Sequence, residues 1–206
     1  MSVNNQDNTR TYGEFVGVSE LYYAKVLQDT PDGYQADVPK FLAPTATISN
    51  DTKTSLNPTY YDNKPSQIYY GEGATDLTIT VSGIPANVYA EITGKDYDTG
   101  TGRVLDTGEP LPPNMALSFV FNRGMQDERY YQYLKGTFMG GKEEATTKSD
   151  KVDVKTYVLT YSAVATTFKW NINGDVKSLK RIFGDTTDPM FDKSKWFDAV
   201  QTPAVI

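Results

Sequence analysis

Cysteine and histidine are both absent from this chain of 206 residues, and the two gaps remove more chemistry than any motif supplies. Without thiols there is no disulfide framework. Without imidazole or thiolate there is no Ser-His-Asp triad, no Cys-His dyad, no HExxH metalloprotease site and no zinc site of the usual nitrogen and sulfur ligands. An enzyme built from these residues would have to run on carboxylates, Lys, Tyr, Ser or a hard metal. Basic residues are also short: 20 Lys and Arg stand against 26 Asp and Glu, a formal charge of −6, which argues against a surface made to neutralise phosphates. No run of about 18 apolar residues is present to cross a membrane, and the polar start from Met1 to Arg10 lacks the apolar centre of a signal peptide. The composition predicts a soluble protein, made in the cytosol, that neither enters a membrane nor grips nucleic acid.

Aromatic surface, by contrast, is abundant. Tyr alone occurs 15 times and aromatics make up 13% of the chain, a mix that suits pleated, half-buried strands better than helices. The length fits one domain, able to bury on the order of 70% of its unfolded surface and to hold a core without staples. Residues 1–13 are polar, cannot offset their own ordering entropy and read as a flexible N-terminal arm; residues 14–206 read as a single β domain. Within it, Leu21 to Leu27 places apolar groups on both faces of a strand. Asp29-Thr30-Pro31-Asp32-Gly33 supplies a turn in which Pro31 fixes φ and Gly33 offers a positive one, so that Tyr34 to Val38 returns as a hairpin. Leu77, Ile79 and Val81 alternate with Thr78, Thr80 and Ser82, predicting a half-buried strand with a hydroxyl-bearing outer face.

Gly83-Ile84-Pro85 opens a short helix with Val88 and Ile92 on one face and Gly94 as its stop. Further strands are predicted over Arg103 to Asp106, Leu117 to Asn122, Arg129 to Phe138, Lys155 to Val164 and Phe168 to Ile172, the last continuing the sheet and ending at an Asn173-Gly174 hairpin signal. Gly140 to Asp153 reads as a charged loop. Asp188 to Val200 reads as a short helix or ordered tail docked through Phe191, Trp196, Phe197 and Val200.

Thr45 to Gly73 fits none of these patterns. It combines Pro58 and Pro65 with many Asn, Asp, Ser and Thr, shows weak periodicity, and is too long for a simple connection, yet it carries more apolar surface than a linker needs. The prolines predict that it stays out of a central sheet. It reads as a long assembly loop whose apolar groups, Tyr60 with Tyr61 and Ile68 with Tyr69 and Tyr70, are candidate contacts to a neighbouring subunit, ordered only on docking.

Motifs with reactive potential are few. Asp96-Tyr97-Asp98-Thr99-Gly100 begins like a calcium loop, but the position that needs a bidentate Glu is Thr107, so it reads as an Asp/Gly turn. Gly71-Glu72-Gly73 lacks the third glycine and the following helix of a dinucleotide site. The acid pairs Asp127 with Glu128 and Glu143 with Glu144 sit on a strand, where neighbours point to opposite faces, or in a loop, where they read as solvated charge rather than as the facing acids of a glycosidase. The tyrosines 22, 23, 60, 61, 69, 70, 130, 131 and 133 suit packing and protein interfaces, with a sugar-stacking platform as the alternative. No catalytic, cofactor or metal residue is expected.

Three blocks form a recognisable order: EFVGVSELYYAKVLQDTPDGYQ (Glu14 to Gln35), YYGEGATDLTITVSGIP (Tyr69 to Pro85) before the short helix, and TYVLTYSAVATTFKW (Thr156 to Trp170). In this layout the chain resembles the major tail protein, or tail tube protein, of long-tailed bacteriophages with noncontractile tails. The resemblance spans roughly residues 14–200. It implies a mainly β fold, a β-sandwich or barrel-like tail-tube domain with one short flanking α-helix and long assembly arms. It also implies a hexameric ring, rings stacked into a tube through which double-stranded DNA leaves the capsid, and the tape measure, tail-tip and tail-terminator proteins as partners. The location implied is the virion tail, reached from the host cytoplasm during assembly. An acidic chain suits a conduit, because a basic wall would bind DNA instead of letting it slide. A carbohydrate-binding β-sandwich module is the alternative, and a carboxylate-based hydrolase a distant third.

Overall fold

The computed structural model describes residues 13–142 and 156–203. In chain order these form β1 (Phe15–Thr30), β2 (Gly33–Ala36), β3 (Lys40–Phe41), β4 (Thr45–Tyr61), β5 (Lys64–Val81), α1 (Ala86–Thr93), β6 (Asp96–Asp98), β7 (Arg103–Leu105), β8 (Met115–Arg123), β9 (Asp127–Lys142), β10 (Tyr157–Ala163), β11 (Lys169–Ile172), β12 (Asp175–Ser178) and β13 (Arg181–Asp185). The fold is mainly β, with one helix among the described residues. Nine strands make one antiparallel sheet along the path β2-β1-β8-β9-β10-β5-β4, with β3 added to β1 and β13 added to β9.

The sheet forks at β9. Residues 129–133 of that strand pair with β13, while residues 136–142 pair with β10. Main-chain bonds from Val164 N–H to Lys135 O and from Leu134 N–H to Lys180 O, both 3.0 Å, tie the two branches at the fork. Beyond it the strands curl until β1 and β4 approach each other, and the inner faces close on one core.

Alternation along each strand decides which side chains enter that core. Leu117 and Phe119 of β8, Tyr133 and Phe138 of β9, Leu159 and Tyr161 of β10, and Leu77, Ile79 and Val81 of β5 are all fully buried. Each aliphatic side chain so buried contributes about 1.5–3 kcal/mol. The Tyr161 hydroxyl donates to the Met115 carbonyl at 2.7 Å, so the ring's polar tip is satisfied inside the core. Gly136 makes room for it, since a Cβ there would collide with the Tyr161 ring and the Ser162 carbonyl.

α1 closes one end of the core with Ile92, against which Val88 and Ile84 pack. It stops at Gly94, in the left-handed region at φ 70°, as the sequence predicts. A side chain there would also strike the Leu111 carbonyl. The helix is pinned through Glu91, which accepts from the Tyr23 hydroxyl at 2.7 Å and from Lys40 at 2.8 Å.

The outer face of β8 and β9 is covered by the C-terminal segment. Val120 and Tyr130 meet Trp196, with Phe191, Phe197 and Ile182 around them, and Gln132 Oε1 accepts the Gln201 amide at 3.0 Å. The docking aromatics are those the sequence marks, but they ride on successive turns rather than on a helix.

Other expectations need correction. Phe168 to Ile172 does not continue the main sheet: β11 pairs with β12 in a sheet of its own, across the Asn173-Gly174 turn whose two φ angles are 53° and 88°. Gly140 to Lys142 belong to β9, so the strand runs past the predicted start of the charged loop; the rest of that predicted loop lies outside the described residues, as do residues 1–12 of the predicted arm. Thr30 pairs with Gly33 around Pro31 and Asp32, and Gly33 is not among the positive-φ glycines, because the turn residues are the two between them.

The largest correction concerns residues 45–73. They form β4 and the first part of β5, a hairpin paired from Thr45 opposite Val81 to Tyr61 opposite Lys64. Pro58, opposite Ile68, and Pro65, opposite Tyr60, lie outside any central strand, in a two-stranded stretch with no third strand beside it among the described residues, so they are compatible with the hairpin.

Candidate functional site

The hairpin has two parts with different surroundings. From Thr45 to Thr52, β4 is the last strand of the curled sheet, and β5 opposite it is paired on its other edge to β10. A register break between Thr52 and Thr54 marks the exit, and the outer half from Thr54 to Glu72 stands away from the body. Its turn is Asp62-Asn63, both in the left-handed region at φ 49° and 60°. Asp and Asn are the side-chain-bearing residues that tolerate that conformation best.

Register sorts the five candidate contact residues onto two faces. Leu56 lies opposite Tyr70 and Pro58 opposite Ile68, while Asn57 lies opposite Tyr69, Thr59 opposite Gln67 and Tyr61 opposite Lys64. The extra residue at the break between Thr59 and Tyr60 lies on β5, so alternation runs unbroken along β4. One face therefore carries Leu56, Pro58, Tyr60, Ile68 and Tyr70, and the other Tyr61 and Tyr69, the latter donating to Gln67 Oε1 at 2.9 Å. The predicted clusters, Tyr60 with Tyr61 and Ile68 with Tyr69 and Tyr70, are thus divided between the faces. Leu56 joins them as a further exposed apolar side chain, one that the sequence reading did not name as a contact. All six large side chains are 58–68% exposed, although an isolated two-stranded ribbon is marginal in water.

Charges fix the hairpin where it leaves the sheet. Lys180 donates to Glu72 at 2.5 Å, to the Gly73 carbonyl at 2.8 Å and to Thr75 at 3.2 Å, holding the Glu72 carboxyl below its ordinary range. On the opposite strand Lys53 bonds Asp76 at 2.7 Å. The Lys53 ammonium, then the Ser162 hydroxyl at 2.6 Å, hold Asp76 below the usual carboxylate range as well.

The remaining sequence candidates disperse. Tyr23, Tyr130, Tyr131 and Tyr133 are buried, so the nine tyrosines make no common platform for a sugar. Glu128 accepts from Lys193 at 2.6 Å and from Tyr130 at 2.9 Å, as a structural carboxylate does, and Glu143 and Glu144 lie outside the described residues. Asp98 accepts the Gly100 amide at 2.9 Å in the β6–β7 turn, the reading given to it from sequence. Among the described residues there is no group of three or more acids placed to hold a metal, and no helix is long and apolar enough to cross a membrane.

A second surface is defined by what it lacks. On the outer side of β4, β5 and β10, register aligns Thr47 with Thr80 and Val158, Ser49 with Thr78 and Thr160, and Asp51 with Asp76 and Ser162. This face has hydroxyls, two acids and no aromatic or Arg. A family model for phage tail tube proteins matches residues 29–203. The chain belongs to that family. No curated protein sequence matches it. As a phage tail tube protein it is a structural component of the virion tail, and family membership suggests self-assembly into a tube.

Proposed function

We propose that copies of this chain close into hexameric rings, that the rings stack into a tube, and that the tube is the conduit for double-stranded DNA on its way into the host. The observation that carries the reading is the outer half of the β4–β5 hairpin, a paired ribbon with large apolar groups exposed on both faces and none of the described residues packed over them. Such a surface is relieved by a neighbour. A ribbon that leaves the body on one side and docks on a different surface of the next copy makes a heterologous contact, the kind that generates rings and filaments rather than closed twofold dimers. Tyr60, Tyr61, Ile68, Tyr69 and Tyr70 are on this reading the inter-subunit anchors, with Leu56.

The hydroxyl-rich face of β4, β5 and β10 is the proposed wall of the channel, polar and without unpaired cations to hold phosphate. The tape measure, tail-tip and tail-terminator proteins are the proposed partners at the tube's inside and ends, with assembly taking place in the host cytoplasm. Negative-stain microscopy of the purified chain across a concentration series tests the reading. Rings or tubes with a central channel are the expected result, and a compact monomer at every concentration, even with a tail tip as nucleus, would overturn it.

A further inference from the structure

The core has two ends, and among the described residues α1 covers only one, beside Tyr23. At the other, Phe15, Phe121, Tyr131 and Phe183 form a continuous run of ring contacts across β1, β8, β9 and β13, with centroids 5.2, 5.2 and 5.7 Å apart in that order. Tyr131 belongs to the buried core and Phe121 packs against it, but the run ends in side chains 52% and 51% exposed, Phe15 and Phe183. The Arg129 guanidinium lies 5.6 Å from each of those two rings, and Arg181 lies 5.5 Å from Phe183. Asp185 fixes the Arg129 plane with two hydrogen bonds of 2.5 and 2.7 Å and bonds Arg123 at 2.9 Å. Beside Phe15 and Phe121 the splayed ends of β1 and β4 leave an open cavity of about 390 Å³, which also meets Val18 and Ile48. Exposed aromatics with oriented Arg beside a concavity have the make-up of an interface centre, not of ordinary surface.

We propose that this aromatic and arginine mouth receives the outer half of the β4–β5 hairpin from a second copy of the chain. The assignment rests on the tube reading above and adds the surface on which the arm lands. The chain's own hairpin is not the occupant, because its anchors are 58–68% exposed and its base is held aside by Lys180. The chemistry matches: Tyr rings present the negative faces that a guanidinium attracts, and the turn brings Asp62 toward a site where Arg123 and Arg129 already share one carboxylate. The extent also matches. The four large side chains of one hairpin face, Leu56, Tyr60, Ile68 and Tyr70, with Phe15 and Phe183 would bury roughly 100 Å² each, on the order of 600 Å² of apolar surface; at a little over half apolar, the implied total is about 1,050 Å², just above the ~1,000 Å² that a specific contact needs.

The absence of native cysteine makes the test direct. Tyr60→Cys and Phe183→Cys, prepared as separate proteins and mixed under assembly conditions with a short bismaleimide, should give a cross-linked pair joining the two variants, confined to the polymer fraction. In parallel, Phe183→Ala should raise the concentration needed for polymerisation at least tenfold with the monomer's melting temperature unchanged, and Phe183→Tyr should restore it. Tubes that form normally with no such cross-link would overturn the proposal and leave the tube reading intact. A cross-link from Phe183→Cys to a Ser2→Cys in the same chain would overturn it too, by naming the N-terminal segment as occupant. A native chain that never polymerises would instead sink the tube reading itself, and this one with it.

Discussion

Asp29 shows at residue scale how this fold keeps a carboxylate out of water. Its side chain is 4% exposed and accepts from Lys135 at 2.6 Å and from the amides of Thr167 and Phe168 at 2.8 Å. Burial pushes the carboxyl up, but the Lys135 hydrogen bond and the two amides outweigh it, leaving the group below its ordinary value of 3.8. Asp185 and Glu128 are lowered in the same direction, by Arg129 and by Lys193 foremost. A carboxyl lowered on folding contributes stability that is complete above its unfolded value and lost as pH falls through its folded one. Thermal stability is therefore expected to hold down to about pH 4–5 and to drop progressively below that. Asp29→Ala should cost about 3 kcal/mol at pH 7, because Lys135 and two amides lose their partner, and should flatten the acid limb in a urea titration repeated across pH. An acid limb as steep as in the native chain would show that Asp29 is not among the groups responsible.

At the scale of elements, the hairpin asks for a separation of folding from assembly. Tyr69 and Tyr70 are 58% and 62% exposed and lie on opposite faces of the ribbon, so neither supports the core. Tyr69→Ala with Tyr70→Ala should shift monomer stability by no more than about 0.5 kcal/mol while abolishing tube growth, read by calorimetry and by sedimentation on the same preparation. Unfolding of the monomer would place these rings in the domain core, and normal growth would move the contact elsewhere. The hairpin was not legible as strands for a physical reason. Alternation of apolar and polar residues records burial on one face, and a ribbon wet on both faces has no such requirement. By contrast β5 beyond Asp76, β8 and β10 were legible because one face of each meets the core, and Leu77, Ile79, Leu117, Phe119, Leu159 and Tyr161 fall on it with period two. The turn left a faint signal, Asp62-Asn63 between tyrosine and lysine, weaker than Asn173-Gly174 for want of a glycine.

For the whole molecule the relevant quantity is charge. A chain at −6 whose candidate wall carries Asp51, Asp76 and hydroxyls should let a duplex pass without retention, since each cation aligned on phosphate would release counterions and add affinity. Native tubes are expected not to pellet with double-stranded DNA at low salt. Asp51→Lys combined with Thr78→Lys, both exposed on that face, should give tubes that do, with the binding lost as salt is raised. Native tubes that hold DNA, or variant tubes that still ignore it, would show that this face does not line the channel.

Composition and local pattern sufficed for the class of fold and for much of its punctuation: a mainly β domain, a helix from Pro85 to Gly94, an Asn-Gly turn, and core faces marked by alternation. These features depend on residues near one another in the chain. Tertiary structure alone decided the fork at β9, the separate β11–β12 sheet, the two-faced hairpin and the mouth where Phe15, Phe121, Tyr131 and Phe183 meet. Each depends on strand partners far apart in sequence, as when Phe183 comes to lie opposite Tyr131. Pairing of that kind is fixed by which edges and faces remain uncovered once the rest has folded, and no local run of residues encodes it.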